Sequence, residues 1–286
     1  MKRLISILIT ATLLIGCVAA FSSCSAKKYQ FGVQSGTTGW SFMSGDTDWG
    51  FKGYSNVDVK SYDNAGLAVT DMKSGAIDYV VIDAEVGKSL AAENDGVKVI
   101  DIALTTESYG IAVDKKQTEL LNQINDVLAT KKADVDAIFA KYANVDDNNS
   151  ADWSGETIPA GTYDASKNQL VVATNAAFAP FEFKVGQNFA GIDMEIAKLI
   201  ADTLGMELVI MDMEFDSITS ALGNNGVDIG IAGMTINENR KQVVNFSTPY
   251  YTDAYQVILA MEDDTRFDAC KTTEDVLKIL SELGNK

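Results

Sequence analysis

The chain has 286 residues, 47% of them hydrophobic and 22% charged, with 40 acidic against 23 basic side chains and a formal net charge of −17. That length suits two domains of ordinary size, and the acidic balance argues against a nucleic-acid-binding face and against electrostatic docking on anionic lipid. Histidine is absent, which removes the commonest general base and zinc ligand, and no metal or cofactor is expected.

Lys2 and Arg3 precede an apolar run from Leu4 to Phe21, the pattern of an export signal. A membrane-spanning anchor is the rival reading, because the run is about long enough to cross a bilayer. Leu14-Ile15-Gly16-Cys17 and Phe21-Ser22-Ser23-Cys24 both resemble the lipobox of bacterial lipoproteins, whose cysteine is acylated and becomes the first mature residue. Cys24 leads into the polar tether Ser-Ala-Lys-Lys and is the expected lipidation site. Cys17 is the alternative, and an ordinary cleaved signal with incidental cysteines is a third reading. Residues 1–23 are then a signal peptide and 24–28 a tether, with lipid as the only contact with the membrane. With Cys24 acylated, Cys270 has no disulfide partner and is read as structural.

Tyr29 to Gln34 alternates like a strand and runs into Ser35-Gly36-Thr37-Thr38-Gly39, a turn whose N–H groups and hydroxyls suit an anion. It lacks the lysine of a phosphate loop, and such turns also simply connect strands to helices. A short strand is expected at Val57–Val59 and a helix through Leu67, Val69 and Met72, ending near Gly75. Ile77 to Ile82 is nearly all apolar, as in a buried parallel strand. It delivers Asp83 at the carboxyl end, where open α/β sheets bind ligands. Asp83 is a candidate for a ligand ammonium or an N-cap for the next helix. Further strands are expected at Val97–Ala103 and Tyr109–Val113. Leu120, Leu121, Ile124, Val127 and Leu128, then Ile138, Phe139 and Tyr142, recur at helical spacing and predict a core-facing helix pair.

Residues 144–168 lose the apolar period and read as a solvated linker or a loosely packed loop. Beyond it come a strand at Leu170–Thr174, a helix through Ile192, Ile196, Leu199, Ile200 and Leu204 stopped by Gly205, a strand at Leu208–Met211, and a short helix through Phe215, Ile218 and Leu222. A strand at Tyr255–Ala260 and a helix at Thr272–Leu283 close the chain. Strand and helix alternate throughout, which gives the α/β class.

The most informative stretch is Val227–Tyr251. An apolar strand, Val227–Ala232, meets the small-residue turn Gly233-Met234-Thr235, and a short polar helix then carries Arg240 ahead of the apolar pair Val243-Val244. Gly233 allows close backbone approach, Thr235 offers a hydroxyl and a helix cap, and the guanidinium of Arg240 is a two-pronged donor for a carboxylate. Taken alone, the pair also fits a surface arginine beside a capping threonine.

Several blocks together resemble the extracytoplasmic solute-binding proteins of polar amino-acid ABC transporters. LVVATNAAFAPFEF, GIDMEIAKLIADTLG and FDSITSALGNNGVDIGIAGMTINENRKQVVNFSTPYY resemble the family's first half, and GVQSGTTG, SGAIDYVVID and YGIAVDKKQTELLNQIN its second. The family's usual order is reversed, so the chain looks circularly permuted, with residues 143–168 joining the ancestral termini; a mis-assembled gene is the competing explanation. The resemblance implies a two-lobe, type II periplasmic-binding fold of α/β class. One lobe would hold 109–142 and 169–249, the other 29–105 and 255–286, joined by a two-strand hinge near Thr105–Ser108 and Tyr250–Ala254.

Carried over by motif, Arg240 grips the ligand α-carboxylate, with Thr235, the Gly233 backbone and Thr38 assisting. Asp83 holds the α-ammonium, and Phe178 and Phe215 sandwich the side chain. Asn175 stands where basic-ligand and glutamine binders often place an aspartate, so the resemblance implies an uncharged polar or small apolar L-amino acid. It further implies a non-enzymatic, monomeric protein that delivers its ligand to an ABC permease. Two alternatives are a dehydratase on the same fold, like arogenate and prephenate dehydratases, and a ligand-sensing module for a receptor.

Overall fold

A computed structural model describes residues 28–143, 153–224 and 226–284. The signal segment with Cys17 and Cys24 lies outside the described residues. Two five-stranded sheets dominate. The first runs, in spatial order, Asp58–Tyr62, Gln30–Gln34, Tyr79–Asp83, Gln256–Met261 and Val97–Ile100. Its first three strands are parallel, and Gln256–Met261 runs antiparallel to both neighbours. Every residue of Tyr79–Asp83 is buried, as its unbroken apolar run requires of a central strand covered on both faces.

The period of two sorts this strand's side chains. Val80 and Ile82 pack with the helices Ala65–Lys73 and Ala84–Glu93, while Tyr79 and Val81 join Phe31, Val33 and Leu280 of the helix Thr273–Glu282 on the other face. That last helix begins with a reciprocal cap between Thr272 and Asp275, which satisfies amide donors its first turn leaves open.

The second sheet runs Glu207–Asp212, Gln169–Thr174, Ile229–Gly230, Ala112–Asp114 and Val244–Phe246. Leu170 and Val172 face Ile196 and Ile200 of the helix Ile192–Leu204, and Val171 and Ala173 face Ile218 and Leu222. Gly205 ends that helix at φ +67°, a left-handed position that glycine adopts without steric cost. A two-stranded antiparallel ribbon, Glu107–Tyr109 with Tyr251–Ala254, links the sheets.

Several expectations need correction. The predicted strand Tyr109–Val113 is two strands, because Gly110 turns the chain from the ribbon into the second sheet and donates its N–H to Met234 O at 3.0 Å. The predicted strand Val227–Ala232 keeps ladder pairing only at Ile229–Gly230. Val243 is 62% exposed, so only Val244 serves the core. Most of the stretch 153–168 is exposed, and two of its residues tie it to the fold. Trp153 stacks on Tyr142 with centroids 5.0 Å apart, and buried Ile158 pairs with Phe189 on a small sheet that also holds Ala177–Phe178 and Glu182–Val185. One tryptophan and one isoleucine anchor a segment whose polar composition hides them.

Candidate functional site

Four strand ends converge between the two sheets. Gln34 and Asp83 end strands of the first, while Asn175 and the segment Ala232–Thr235 follow strands of the second. This is where open α/β sheets place ligands. The residues meet in one cavity lined by Gln34, Thr38, Asp83, Asn175, Phe178, Glu182, Phe215, Gly233, Thr235 and Arg240, among others. All eight residues singled out as ligand contacts therefore border the same space.

Arg240 sits on the short helix Glu238–Val243, whose cap is Asn237: its side-chain oxygen accepts from Arg240 N at 2.8 Å. The expected capping role of Thr235 is thus filled by Asn237, which stands one residue before the helix. The Thr235 hydroxyl donates instead to Glu107 Oε2 at 2.6 Å and lies 3.2 Å from the Thr38 hydroxyl. The guanidinium is 9% exposed and donates through Nη1 to Thr235 O at 2.8 Å and through Nη2 to Gly36 O at 2.9 Å. It lies over two aromatic rings, Phe215 at 5.2 Å and Trp49 at 5.3 Å, within cation–π range. Burial pulls its pKa down to about 10, against the opposing pull of Glu107 and Asp83.

Asp83 precedes the helix Ala84–Glu93 but makes no side-chain cap bond. Its carboxylate accepts from the Tyr109 hydroxyl. Burial first, and the charge of Glu107 second, push its pKa up to about 7. Glu107 is buried on the linking ribbon, accepting from Thr105 at 2.5 Å, Thr235 at 2.6 Å and Gln256 at 3.1 Å. Two more acids stand behind Phe178 and Gly233. Asp193 Oδ2 accepts from Gly233 N at 2.8 Å and from the Tyr250 hydroxyl at 2.9 Å, and burial raises its pKa to about 7. Glu182 is 1% exposed and shares a hydrogen bond with Asp193; burial, then the Asp193 charge, drive its pKa well above the carboxylate range.

The two sides touch directly. Gln34 Nε2 donates to Asn175 Oδ1 at 2.9 Å, and Asn175 Nδ2 to Met213 O at 2.8 Å. With the Arg240–Gly36 and Thr38–Thr235 contacts, these bonds shrink the enclosed space to about 10 Å³, room for about one water. A gap the size of an amino acid, the expectation from sequence, is absent from this closed arrangement, because polar groups of each side satisfy those of the other. Entry of such a ligand requires these cross-bonds to part. An open concavity of about 550 Å³ elsewhere is lined by Lys88, Phe139, Phe181 and Tyr251. Its lysine is paired with Glu85, which also lines it, at 3.1 Å, so these two charges already serve each other.

Sequence reasoning missed Trp49, Glu107, Glu182 and Asp193. For the two acids of the second half a signal existed: Glu182 stands between Phe181 and Phe183, and Asp193 lies in the first turn of an apolar helix, so neither fits a solvated face. Glu107 and Trp49 lie in stretches whose pattern gives no such sign. Among the described residues no group of His, Cys, Asp or Glu is placed to hold a metal, and no helix is long and apolar enough to cross a membrane.

Two α/β sheets joined by a ribbon enclose charged groups of both between them, in the manner of type II periplasmic solute-binding folds. Residues 170–284 match bacterial extracellular solute-binding proteins, family 3. It is 39% identical over 95 residues to the arginine-binding extracellular protein ArtP of Bacillus subtilis (strain 168), across 33% of this chain and 37% of that protein. It is 29% identical over 99 residues to a cyclohexadienyl dehydratase of Pseudomonas aeruginosa, across 34% and 37%. The match to these curated relatives thus spans little more than a third of their length. The holo structure of ArgBP from T. maritima is 47% identical over 29% of this chain and 38% of its own, with a TM-score of 0.28.

Proposed function

We propose that the chain captures a free L-amino acid between its two sheets and delivers it to an ABC transporter permease. One observation carries the reading: Arg240 from one side and Asp83 from the other border a single buried cavity. A zwitterion loses water from both its charges on burial, so each needs a partner. Arg240 meets the α-carboxylate, helped by Thr235, the Gly233 backbone and Thr38, and Asp83 meets the α-ammonium. Phe178 and Phe215 flank the side chain. Because each sheet supplies half the contacts, the ligand favours a form in which both sheets reach it, with the cross-bonds of this arrangement exchanged for bonds to the ligand, by its extra affinity for that form. The match of residues 170–284 to an extracellular solute-binding family and the similarity to an arginine-binding protein support this. Titration calorimetry with the free amino acids tests it, and heat from none of them sinks it.

The lobes follow the boundaries read from sequence, 109–142 with 169–249 and 29–105 with 255–286, with the Glu107–Tyr109 and Tyr251–Ala254 ribbon as hinge. A permuted order is supported by the two ends of the described chain. Lys28 Nζ donates to Ser55 O at 3.0 Å, and the next residue, Asn56, donates to Leu280 O and Leu283 O at 2.8 and 2.7 Å. Both ends thus meet one loop, as a cut at a surface site of one lobe requires. The protein works as a monomer held to the membrane by a lipid on Cys24; intact-mass measurement of membrane-extracted protein checks the acyl group, and one on Cys17 moves the site.

A second reading has a specific observation behind it. Burial, then the charge of Asp193, push the Glu182 pKa upward, the direction a general acid needs, and one relative is a dehydratase. Turnover of prephenate by the purified chain decides for that reading; its absence leaves binding.

A further inference from the structure

The Thr235 hydroxyl has a single proton to give, and Glu107 takes it. Glu107 is 5% exposed and opens the ribbon strand Glu107–Tyr109. Its Oε2 accepts from Thr235 at 2.6 Å, while the Thr38 hydroxyl donates to Thr235 at 3.2 Å. The amino-acid reading asks the same threonine to help hold a ligand α-carboxylate. Ionised carboxylates only accept, so Glu107 and such a ligand compete for the same donor.

The backbone holds this pair together. Ile236 N donates to Ser108 O at 2.9 Å and Gly110 N to Met234 O at 3.0 Å, with Tyr109 and Thr235 bridged between them. The turn that carries Thr235 is thereby laid along the strand that carries Glu107. The other oxygen of Glu107 faces the first sheet: Oε1 accepts from Thr105 at 2.5 Å and from Gln256 Nε2 at 3.1 Å, and Thr105 itself accepts from Gln256 N at 2.9 Å. Glu107 thus draws on the groups a ligand carboxylate needs, the Thr235 proton directly and the Arg240 charge at longer range. Gln256 is fully buried, and its Oε1 meets no donor.

We propose that Glu107 is a built-in competitor of the ligand α-carboxylate: it holds the Thr235 proton in this arrangement, a bound ligand draws that proton away, and Glu107 thereby keeps the affinity below what the cleft could reach. This rests on the amino-acid reading above. Glu107 acts on the ligand through Thr235 and is a positioning residue.

Calorimetry of the full chain with its tightest-binding amino acid, and with the α-carboxamide of that amino acid, tests this. Glu107→Gln keeps the shape, offers Thr235 a neutral oxygen in place of a charged one, and brings an amide that a rotated Gln256 Oε1 can accept from. Because a charged acceptor makes a bond about twice as strong as a neutral one, the variant should bind the amino acid about three- to thirtyfold more tightly. Its preference for the amino acid over the carboxamide should widen by about threefold or more. Removing the Glu107 charge also eases Asp83, but both ligands share that gain and it cancels in the ratio. Thr105→Ala takes one donor from Glu107 Oε1, leaves the carboxylate more dependent on Thr235, and should move both the affinity and the ratio the opposite way. Unchanged or weaker amino-acid binding in a Glu107→Gln protein that still unfolds cooperatively overturns the proposal, and so does a gain that leaves the ratio unmoved; either result leaves the amino-acid reading standing. If that variant does not fold, Thr105→Ala decides, and a ratio that stays the same or widens overturns the proposal. Heat from no amino acid with the unsubstituted chain removes the amino-acid reading and this one together.

Discussion

Replacing Asp83 by Asn should stabilise the protein and disable it at once. The carboxyl group is 7% exposed and its pKa rises to about 7 from the ordinary 3.8, first through burial and second through Glu107. A carboxyl group whose folded pKa lies above its unfolded one binds more protons in the folded state between those two values. Folding stability is therefore fullest below about pH 4, falls as pH rises toward 7, and is flat beyond. At about 1.4 kcal/mol per pKa unit, the interval is worth about 4 kcal/mol. Asn keeps the shape and an oxygen for the Tyr109 hydroxyl and removes the ionisation. The variant should match the parent near pH 4 and exceed it by about 4 kcal/mol at pH 8, an upward shift in Tm of roughly 8 °C or more. Having lost the ammonium partner, it should bind amino acids at least about thirtyfold more weakly. Thermal unfolding of both proteins without ligand from pH 4 to 8 provides the assay. An Asn variant no more stable than the parent at pH 8, or a gap that does not vary with pH, refutes the assignment of a strained, ligand-directed charge at this position.

Gly233 has φ +53°, and a Cβ there would stand 2.8 Å from the Phe178 ring; Gly233→Ala should cost about 2–4 kcal/mol in urea denaturation, from the left-handed backbone plus a displaced ring. The Arg240 guanidinium lies over the Trp49 ring at 5.3 Å, so ligand binding in the cavity should change the fluorescence of Trp49. Trp49→Phe should remove that change while Trp40 and Trp153 still emit, and Trp49→Ala should weaken binding by about two- to thirtyfold; a signal that persists without Trp49 assigns the change to another segment. Trp153→Ala should lower stability by about 3 kcal/mol if the stacking on Tyr142 and the edge contact with Phe183 hold this segment down, whereas a solvated linker would show no change.

Periodicity carried most of the fold. The all-apolar run ending at Asp83, the 3.6-residue stripe of Ile192–Leu204 and its glycine stop were readable because burial on one or both faces dictates those patterns. Where a strand is broken by a close backbone approach, as at Gly110, or held by two ladder pairs, as at Ile229–Gly230, local pattern could not mark the boundary. The eight residues that line the cleft were legible through family motifs, since nothing local brings Asp83 to Arg240 across more than 150 residues. What stayed hidden were the acids behind them. Glu107, Glu182 and Asp193 acquire meaning from burial and from one another, and both arise only when the chain is folded.

The opposed-charge cleft is tested most directly by blocking each end of the ligand in turn. The tightest-binding amino acid should be titrated beside its α-carboxamide and its N-acetyl derivative. Loss of about a hundredfold or more for each, roughly 3 kcal/mol, with Arg240→Ala adding little to the first loss and Asp83→Asn little to the second, is the expected result. Undiminished affinity for either derivative would contradict a site in which one sheet reads the carboxylate and the other the ammonium.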